Sequence, residues 1–154
     1  MKTYNNMPPL GWRYRNPLNI TRGRRRWEGE ISKIGRFCKF SSFYYGLRAA
    51  YLLLTSYQKM GYYTVEKIVR RWAPPIENHT QAYIGHVCRR LKLQPGDTVP
   101  LDQLPNLMVA MGEMEIGKAW FHRYSIRSGM DILCKNNNLP FPSLLTEGQN
   151  LIEK

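Results

Sequence analysis

The chain has 154 residues, enough for a single hydrophobic core, and we expect residues 1–154 to form one domain. Hydrophobic residues make up 43% of it, including 4 Trp and 10 Tyr, which excludes an intrinsically disordered chain. The formal net charge of +12 favours polyanionic partners, and no apolar run approaches the ~18 residues of a membrane-spanning helix.

The first part of the chain carries few signs of regular structure. Residues 1–26 are rich in Pro, Asn, Gly and Arg without a sustained period, so we predict an irregular basic N-terminal segment. The first twenty residues contain no apolar h-region, which predicts that there is no signal peptide. From Trp27 to Phe40 apolar residues partly alternate, a pattern typical of a small β-hairpin centred near Gly35.

About five helices are predicted after the hairpin, from apolar residues spaced three and four apart. They are residues 43–59, a short helix capped by Thr64, a helix capped by Asn78 and Gln81, about 102–115, and about 125–136. Residues 137–154 are predicted to form an irregular tail. The expected fold is therefore mainly α, or α+β if the small hairpin is counted.

Cysteine and histidine spacing gives no support for a metal site. The three cysteines are Cys38, Cys88 and Cys134; they form no CxxC pair, and we expect free thiols. His86 and Cys88 are two residues apart, so on a helix they would point to different faces. We predict neither a metal nor another cofactor.

Glu115 is the residue most suggestive of chemistry. It continues the apolar series Leu104, Met108 and Met111 at spacings of four, three and four, so its carboxylate would lie in line with the apolar face. Burial there disfavours the charged form and raises the pKa, as a general acid near neutral pH requires. An ion pair with Arg or Lys at a fraying helix end is the alternative. Glu113, two residues earlier, would point elsewhere, into solvent.

The basic residues do not match a known nucleic-acid motif. Arginines cluster in "RGRRR" at residues 22–26, within a turn-rich segment, and other pairs lie on polar helix faces. The sequence contains no RNP motif, zinc finger, P-loop, GxSxG or GxGxxG. We interpret most of these arginines as solvated surface, while phosphate binding through "RGRRR" stays open.

Four sequence segments between about residues 15 and 118 resemble, in the same order, segments of a known group of proteins. They are "RNPLNI", "RRWEGEISKIGRFCKFSSFYYGLRAAYLLLTSY", "TVEKIVRRWAPPIENHTQAYIGHV" and "LMVAMGEMEIG", and "RWAPPIENHTQAYI" is the most specific part. Together they resemble a family of small phage-encoded and prophage-encoded proteins, commonly described as virion structural or lysozyme-like proteins. The resemblance implies a protein made in the bacterial cytoplasm that becomes associated with the virion or is delivered to the cell wall.

A second resemblance concerns the chemistry. The N-x-x-x-I segment at Asn16–Ile20, followed by Trp27-x-Gly29 and a hairpin before a helix, is similar to part of the bacterial N-acetylglucosaminidases. Those enzymes have a lysozyme-like fold, and their catalytic Glu lies on a helix before this segment. Here the helix ending in "MGEMEIG" comes afterwards, so the resemblance implies a lysozyme-like domain that is circularly permuted.

The resemblance implies a protein that degrades or binds peptidoglycan, with Glu115 as the general acid of glycosidic bond cleavage. A hydrolase would need a second carboxylate, for which Glu28 and Glu30 on the hairpin are the candidates. A lytic transglycosylase would need one Glu, because a hydroxyl of the sugar closes the ring. The residues expected to bind substrate are Asn16, Asn19, Arg22, Trp27 and Tyr45.

Two non-enzymatic interpretations stay open. One is a basic virion or nucleic-acid-binding structural protein, whose DNA binding would depend steeply on salt and not on Glu115. The other is a degenerate lysozyme-like scaffold that binds glycan without cutting it. We expect a monomer whose partner is peptidoglycan or another anionic polymer, with nucleic acid as the alternative.

Overall fold

A computed structural model gives the structure of residues 7–32, 34–73 and 76–147, without the side chain of Asn78. Within these ranges the seven α-helices are α1 (Leu10–Arg13), α2 (Phe43–Lys59), α3 (Val65–Trp72), α4 (Glu77–Leu91), α5 (Leu104–Ile116), α6 (Lys118–Phe121) and α7 (Tyr124–Asn136). Two 3-10 helices cover Leu101–Gln103 and Ser143–Leu145. The predicted mainly α class is confirmed.

The five long helices follow the sequence pattern closely. Ser42 caps α2 by accepting a hydrogen bond from the Tyr45 N–H, and Thr64 caps α3 through the Lys67 N–H. The predicted cap at Asn78 is wrong, because α4 begins at Glu77 and Asn78 lies inside its first turn. α5 begins two residues later than predicted, since the chain first forms a 3-10 turn.

The predicted hairpin forms its turn but no strand in the part of the chain described here. Gly35 has a φ of 90°, which an L-residue with a side chain rarely adopts. Only isolated antiparallel bridges follow, at Glu30–Phe40 and at Thr21–Phe37. The second half of the hairpin shares its backbone between two partners: the Ile31 N–H donates to the Lys39 carbonyl of this half over 2.8 Å, while the Cys38 N–H donates to the Ile20 carbonyl of the N-terminal segment over 3.0 Å.

Both segments predicted to be irregular contribute to the core. Leu18, in the N-terminal segment, and Leu145, in the tail, are fully buried. The short helix α1 lies in the first segment, and the 3-10 helix Ser143–Leu145 lies in the second. The parts of these predictions that concern residues 1–6 and 148–154 lie outside the described residues.

Helix α5 is the centre of the fold. It packs against α4, α2, α6, α1 and the 3-10 helix Ser143–Leu145. Ten of its 13 residues are buried, on all of its faces. A helix surrounded in this way has no solvent face. The prediction that Glu113 points into solvent is therefore wrong: it is 6% exposed.

No helix in the described ranges combines the length and apolar character needed to cross a membrane. The same residues contain no cluster of three or more His, Cys, Asp or Glu that could hold a metal ion. The three cysteines are not joined in disulfides.

Candidate active site

The carboxylate of Glu115 lies at the C-terminal end of α5 between two neutral hydrogen-bond donors. The Tyr83 hydroxyl donates to Oε2 over 2.9 Å, and the Asn19 amide donates to Oε1 over 2.9 Å. No arginine or lysine of the described chain pairs with this carboxylate, contrary to the ion pair considered above. Burial raises the pKa of Glu115, and the hydrogen bonds from Asn19 and Tyr83, with nearby His79, lower it by less.

Tyr83 reaches Glu115 from α4. Its side chain is fully buried, and the ring of His79, one turn earlier, lies edge-on to it at 6.0 Å between centroids. Burial and the neighbouring Glu115 raise the pKa of Tyr83 well above its ordinary value. The phenol therefore stays protonated and acts as a donor toward the carboxylate.

Asn19 reaches Glu115 from a turn that Asn16 holds in place. The buried Asn16 amide donates to the carbonyls of Ile20 (3.0 Å) and Cys38 (2.9 Å), and its oxygen accepts from the Ile20 N–H (2.9 Å). Asn19 itself has a φ of 55°, in the left-handed region that Asn tolerates better than most residues. Trp72 of α3 secures the turn through a 3.1 Å hydrogen bond from its indole to the Leu18 carbonyl.

A cleft of about 320 Å³ adjoins this turn. Its walls come from the turn, the "RGRRR" segment, α2 and α3. The lining residues are Asn19, Ile20, Thr21, Gly23, Arg24, Arg25, Trp27, Leu53, Tyr57, Arg71 and Trp72. The lining includes three arginines and no carboxylate. Asn19 belongs both to this cleft and to the hydrogen-bonded shell of Glu115.

The two other predicted carboxylates lie elsewhere. Glu30 is 8% exposed and accepts a 3.1 Å hydrogen bond from the Trp27 N–H, so it stabilises the turn that carries Trp27. Glu28 is exposed and forms an ion pair with Arg48 at 3.4 Å. Neither contacts Glu115 in the part of the chain described.

Arg22 and Tyr45 lie outside the lining of the cleft, and both shape the loops beside it. Arg22 donates to the Gly35 carbonyl over 3.2 Å, and its Nε lies 3.8 Å from Glu30. Tyr45 packs directly on Gly29, which has a φ of 83°; a Cβ added there would meet the Tyr45 Cγ at 2.2 Å. The glycine of the Trp-x-Gly motif is thus required by the approach of Tyr45 as well as by its backbone conformation.

A second polar cluster surrounds Glu113, on a different side of α5. Oε1 accepts from Arg90 (2.9 Å) and contacts His86 (2.8 Å); Oε2 accepts from Arg90 (2.7 Å) and contacts His122 (2.6 Å). Burial alone would raise the pKa of Glu113, but the hydrogen bonds from His122, Arg90 and His86 outweigh it and hold the pKa at about 2. Glu113 is therefore ionised at neutral pH and joins α4 to the segment after α5.

Sequence reasoning did not single out Arg71, Trp72, His79 or Tyr83. All four lie in the segment "RWAPPIENHTQAYI", which carries the most specific part of the resemblance. The signal in the sequence was the density of arginine, aromatic and histidine residues in this segment, which spans the end of α3 and the first half of α4.

The structure thus defines a mainly α protein with a half-buried carboxylate beside an arginine-lined cleft. No family model matches the chain. It is 32% identical over 127 residues to Protein P5 of Pseudoalteromonas phage PM2, across 79% of this chain and 79% of that protein. The chain belongs to the family of this phage protein. The comparison confirms the phage part of the resemblance and lends no support to the lysozyme-like part.

Proposed function

We propose that this phage-related protein cleaves glycosidic bonds in peptidoglycan, with Glu115 as the general acid. The observation that carries the proposal is the position of Glu115: half-buried, with a raised pKa, and linked through Asn19 to a cleft lined by three arginines. A carboxyl group that keeps its proton near neutral pH can protonate a glycosidic oxygen. The cationic lining suits a polymer that carries carboxylates.

In this proposal the neighbours of Glu115 have separate tasks. Asn19 and Tyr83 fix the orientation of the carboxyl group and stabilise the carboxylate that is left after proton transfer. Asn19 and Trp27 contact the substrate in the cleft. Asn16, being buried, acts by positioning Asn19, while Arg22 and Tyr45 hold the loops beside the cleft.

The placement of Glu28 and Glu30 favours the reaction that needs a single carboxylate. Glu30 already accepts the Trp27 N–H, and Glu28 pairs with Arg48 at the surface. We therefore propose a lytic transglycosylase reaction: Glu115 protonates the glycosidic oxygen, a hydroxyl of the cleaved sugar attacks its own C1 as that bond breaks, and the Glu115 carboxylate takes up the proton of this hydroxyl. The alternative reaction is hydrolysis with Glu28 or Glu30 as the second carboxylate. Our proposal that the protein is an enzyme of this kind includes a circularly permuted lysozyme-like fold.

The first test is loss of turbidity of purified peptidoglycan with the wild type and Glu115→Gln, matched for folding by circular dichroism. We expect a rate loss of about 10²- to 10⁴-fold, the contribution of a general acid. Asp131→Asn is the matched control, since Asp131 lies on α7, away from the candidate site, and forms an ion pair with Lys135 at 3.0 Å. Equal rates for wild type and Glu115→Gln, or no wild-type activity at any salt or pH, would contradict the proposal.

Mass spectrometry of the released fragments separates the two reactions. The transglycosylase product contains one water fewer than the hydrolysis product. If the wild type releases hydrolysis products and Glu28→Gln or Glu30→Gln loses activity, the reaction is two-carboxylate hydrolysis and not the transglycosylase reaction.

Membership in a phage protein family is the basis for the proposed location, which is association with the virion or delivery to the cell wall. The non-enzymatic alternative is supported by the exposed arginines of the "RGRRR" segment. It predicts DNA binding that weakens steeply with salt and is unchanged in Glu115→Gln.

A further inference from the structure

We propose that Arg24, Arg25 and Arg71, here called the arginine cleft, form a subsite for a carboxylate group of the glycan strand. This inference rests on the proposed function, because it identifies the acidic chemistry of that substrate. It goes beyond general attraction by a positive protein, since it assigns the recognition to three particular guanidinium groups.

The arginine cleft lacks carboxylate partners of its own. In the described chain none of its three arginines forms an ion pair with Asp or Glu. Other arginines do form ion pairs with glutamates: Arg22 with Glu30, Arg48 with Glu28, Arg70 with Glu66 and Arg90 with Glu113. None of the acidic residues that the structure describes lies in the lining of this cleft. Three unpaired guanidinium groups around one concavity make an anion the complementary ligand.

Aromatic rings hold two of these arginines in place. The Arg25 guanidinium lies 4.0 Å above the Trp27 ring, and the Arg71 guanidinium lies 5.3 Å above Tyr57 and 4.6 Å above Tyr62. Trp27 and Tyr57 are buried, so their rings support the arginines, and Trp27 meets the substrate only where its edge lines the cleft. A guanidinium group has five N–H donors, so one held over a ring can still offer a pair of them to a carboxylate, and this holds for Arg71 although it also hydrogen-bonds to Tyr57.

The arginine cleft is connected to the proposed general acid. Asn19 lines the cleft and donates to the Glu115 carboxylate, while Trp72 lines it and secures the same turn. A carboxylate bound by the arginines would therefore belong to the strand whose glycosidic oxygen faces Glu115. Peptidoglycan offers this chemistry from two sources, the lactyl side group of its acidic sugar and the peptide stem attached there. Chitin, with the same amide-bearing sugars, offers neither.

The test measures binding with Glu115→Gln protein, so that cleavage is not required. Binding to insoluble peptidoglycan is compared with binding to the same material after its carboxyl groups are converted to amides, and with binding to chitin. We expect about tenfold weaker binding to amidated peptidoglycan and to chitin. Adding Arg71→Gln or Arg25→Gln should weaken binding to native peptidoglycan by about tenfold and leave binding to the amidated form unchanged.

Arg123→Gln is the matched control. Arg123 also stacks on an aromatic ring, 4.0 Å above Trp120, and lies outside the cleft. Equal losses in Arg71→Gln and Arg123→Gln, or equal binding to native and amidated material, would overturn the proposal. Stronger binding of a single-stranded oligonucleotide that is lost in Arg71→Gln would also overturn it, by assigning the cleft to phosphate.

Peptidoglycan stripped of its stems, with the lactyl carboxylate left free, identifies the source of the carboxylate. Retained binding assigns the subsite to the acidic sugar, and lost binding assigns it to the stem; both support a carboxylate subsite. The outcomes also separate this inference from the proposed function. If the protein binds carboxylate-bearing peptidoglycan selectively but the wild type cleaves nothing, the proposed enzymatic function is refuted and the carboxylate subsite is supported. If the wild type cleaves peptidoglycan but binds native and amidated material equally, the enzymatic function is supported and the subsite is refuted.

Discussion

Glu113 and Glu115 are two residues apart on one helix and have opposite environments. Glu113 is surrounded by Arg90, His86 and His122, and its pKa is about 2, although burial alone would raise it. Within the described residues Glu115 accepts from the amide of Asn19 and the phenol of Tyr83, and burial raises its pKa. Surroundings of this kind decide which of two carboxylates serves as an acid. Glu113 is ionised and structural, whereas burial raises the pKa of Glu115, which accepts a hydrogen bond from Asn19 at the edge of the cleft.

The donors to Glu115 provide a test of its role through pH. Removing the Tyr83 hydroxyl (Tyr83→Phe) deletes a hydrogen bond that favours the ionised form, so the pKa of Glu115 should rise further. A general acid is active while protonated, and activity is lost as pH rises through its folded-state pKa. The alkaline limb of the pH–rate profile should therefore move to higher pH, with about tenfold lower maximal rate from the lost hydrogen bond.

Asn19→Ala should shift the same limb in the same direction. Tyr44→Phe is the control, because the Tyr44 hydroxyl accepts from Asn136 at the surface over 3.1 Å. An alkaline limb that stays in place in both Tyr83→Phe and Asn19→Ala would exclude Glu115 as the titrating acid.

The position of Glu115 follows from the sequence, but its partners do not. Its alignment with Met108 and Met111 is a local property of helix spacing. Asn19 is 96 residues away and Tyr83 is 32 residues away, so their meeting depends on how the turn that carries Asn19 packs with α4 and α5. Single-sequence periodicity carries no information on that packing.

At the scale of elements, helix periodicity and capping predicted the helices whose ends depend on contacts between neighbouring residues. The ends of α2 and the cap of α3 are decided by nearby residues, and both were predicted. The hairpin was not formed as predicted, because residues 36–38 bond to residues 20–22. α5 was predicted to have a solvent face, since the sequence does not reveal that other elements surround it.

Packing around α5 can be tested at Gly112. A Cβ added there would come within 2.0 Å of the Phe121 ring, so Gly112→Ala forces α6 away from α5 or distorts the ring. We expect a loss of about 1 to 3 kcal/mol in the free energy of unfolding, as for overpacked cores, measured by urea denaturation. Gly96→Ala is the control, because nothing lies within 4 Å of the added carbon there. Equal stability of the two variants would show that the α5–α6 contact is not tight.

At the scale of the whole molecule, the charges fall into two groups. Arginines such as Arg48 and Arg90 are balanced by glutamates and serve the fold. The three of the arginine cleft have no Asp or Glu partner in the described chain, and they line the cleft that adjoins Asn19. A net charge of +12 predicts an anionic partner, but only the folded structure shows which cations are left for it.

The Glu113 cluster is a buried polar link between several helices. Through Arg90 and His86 it reaches α4, and through His122 it reaches the residues after α6; Arg90 also pairs with Glu147 near the end of the described chain. Because the Glu113 side chain is 1% exposed, the link is shielded from solvent. Its loss should weaken the molecule globally and not only α5.

The pH dependence of unfolding tests this link. The folded pKa of Glu113 is about 2, below its ordinary value of 4.5, so its ionisation stabilises the fold above pH 4.5. That stabilisation is lost as pH falls from 4.5 toward 2. Glu113→Gln should lower the free energy of unfolding by about 3 kcal/mol at pH 7, the cost of breaking a buried ion pair. The difference from wild type should shrink below pH 4.5 and nearly vanish near pH 2, where Glu113 takes up its proton.

Urea titrations between pH 7 and pH 2 measure this difference in the free energy of unfolding, and Asp131→Asn, whose side chain is about half exposed, is the control. A difference that stays constant with pH would mean that Glu113 contributes through shape and not through charge.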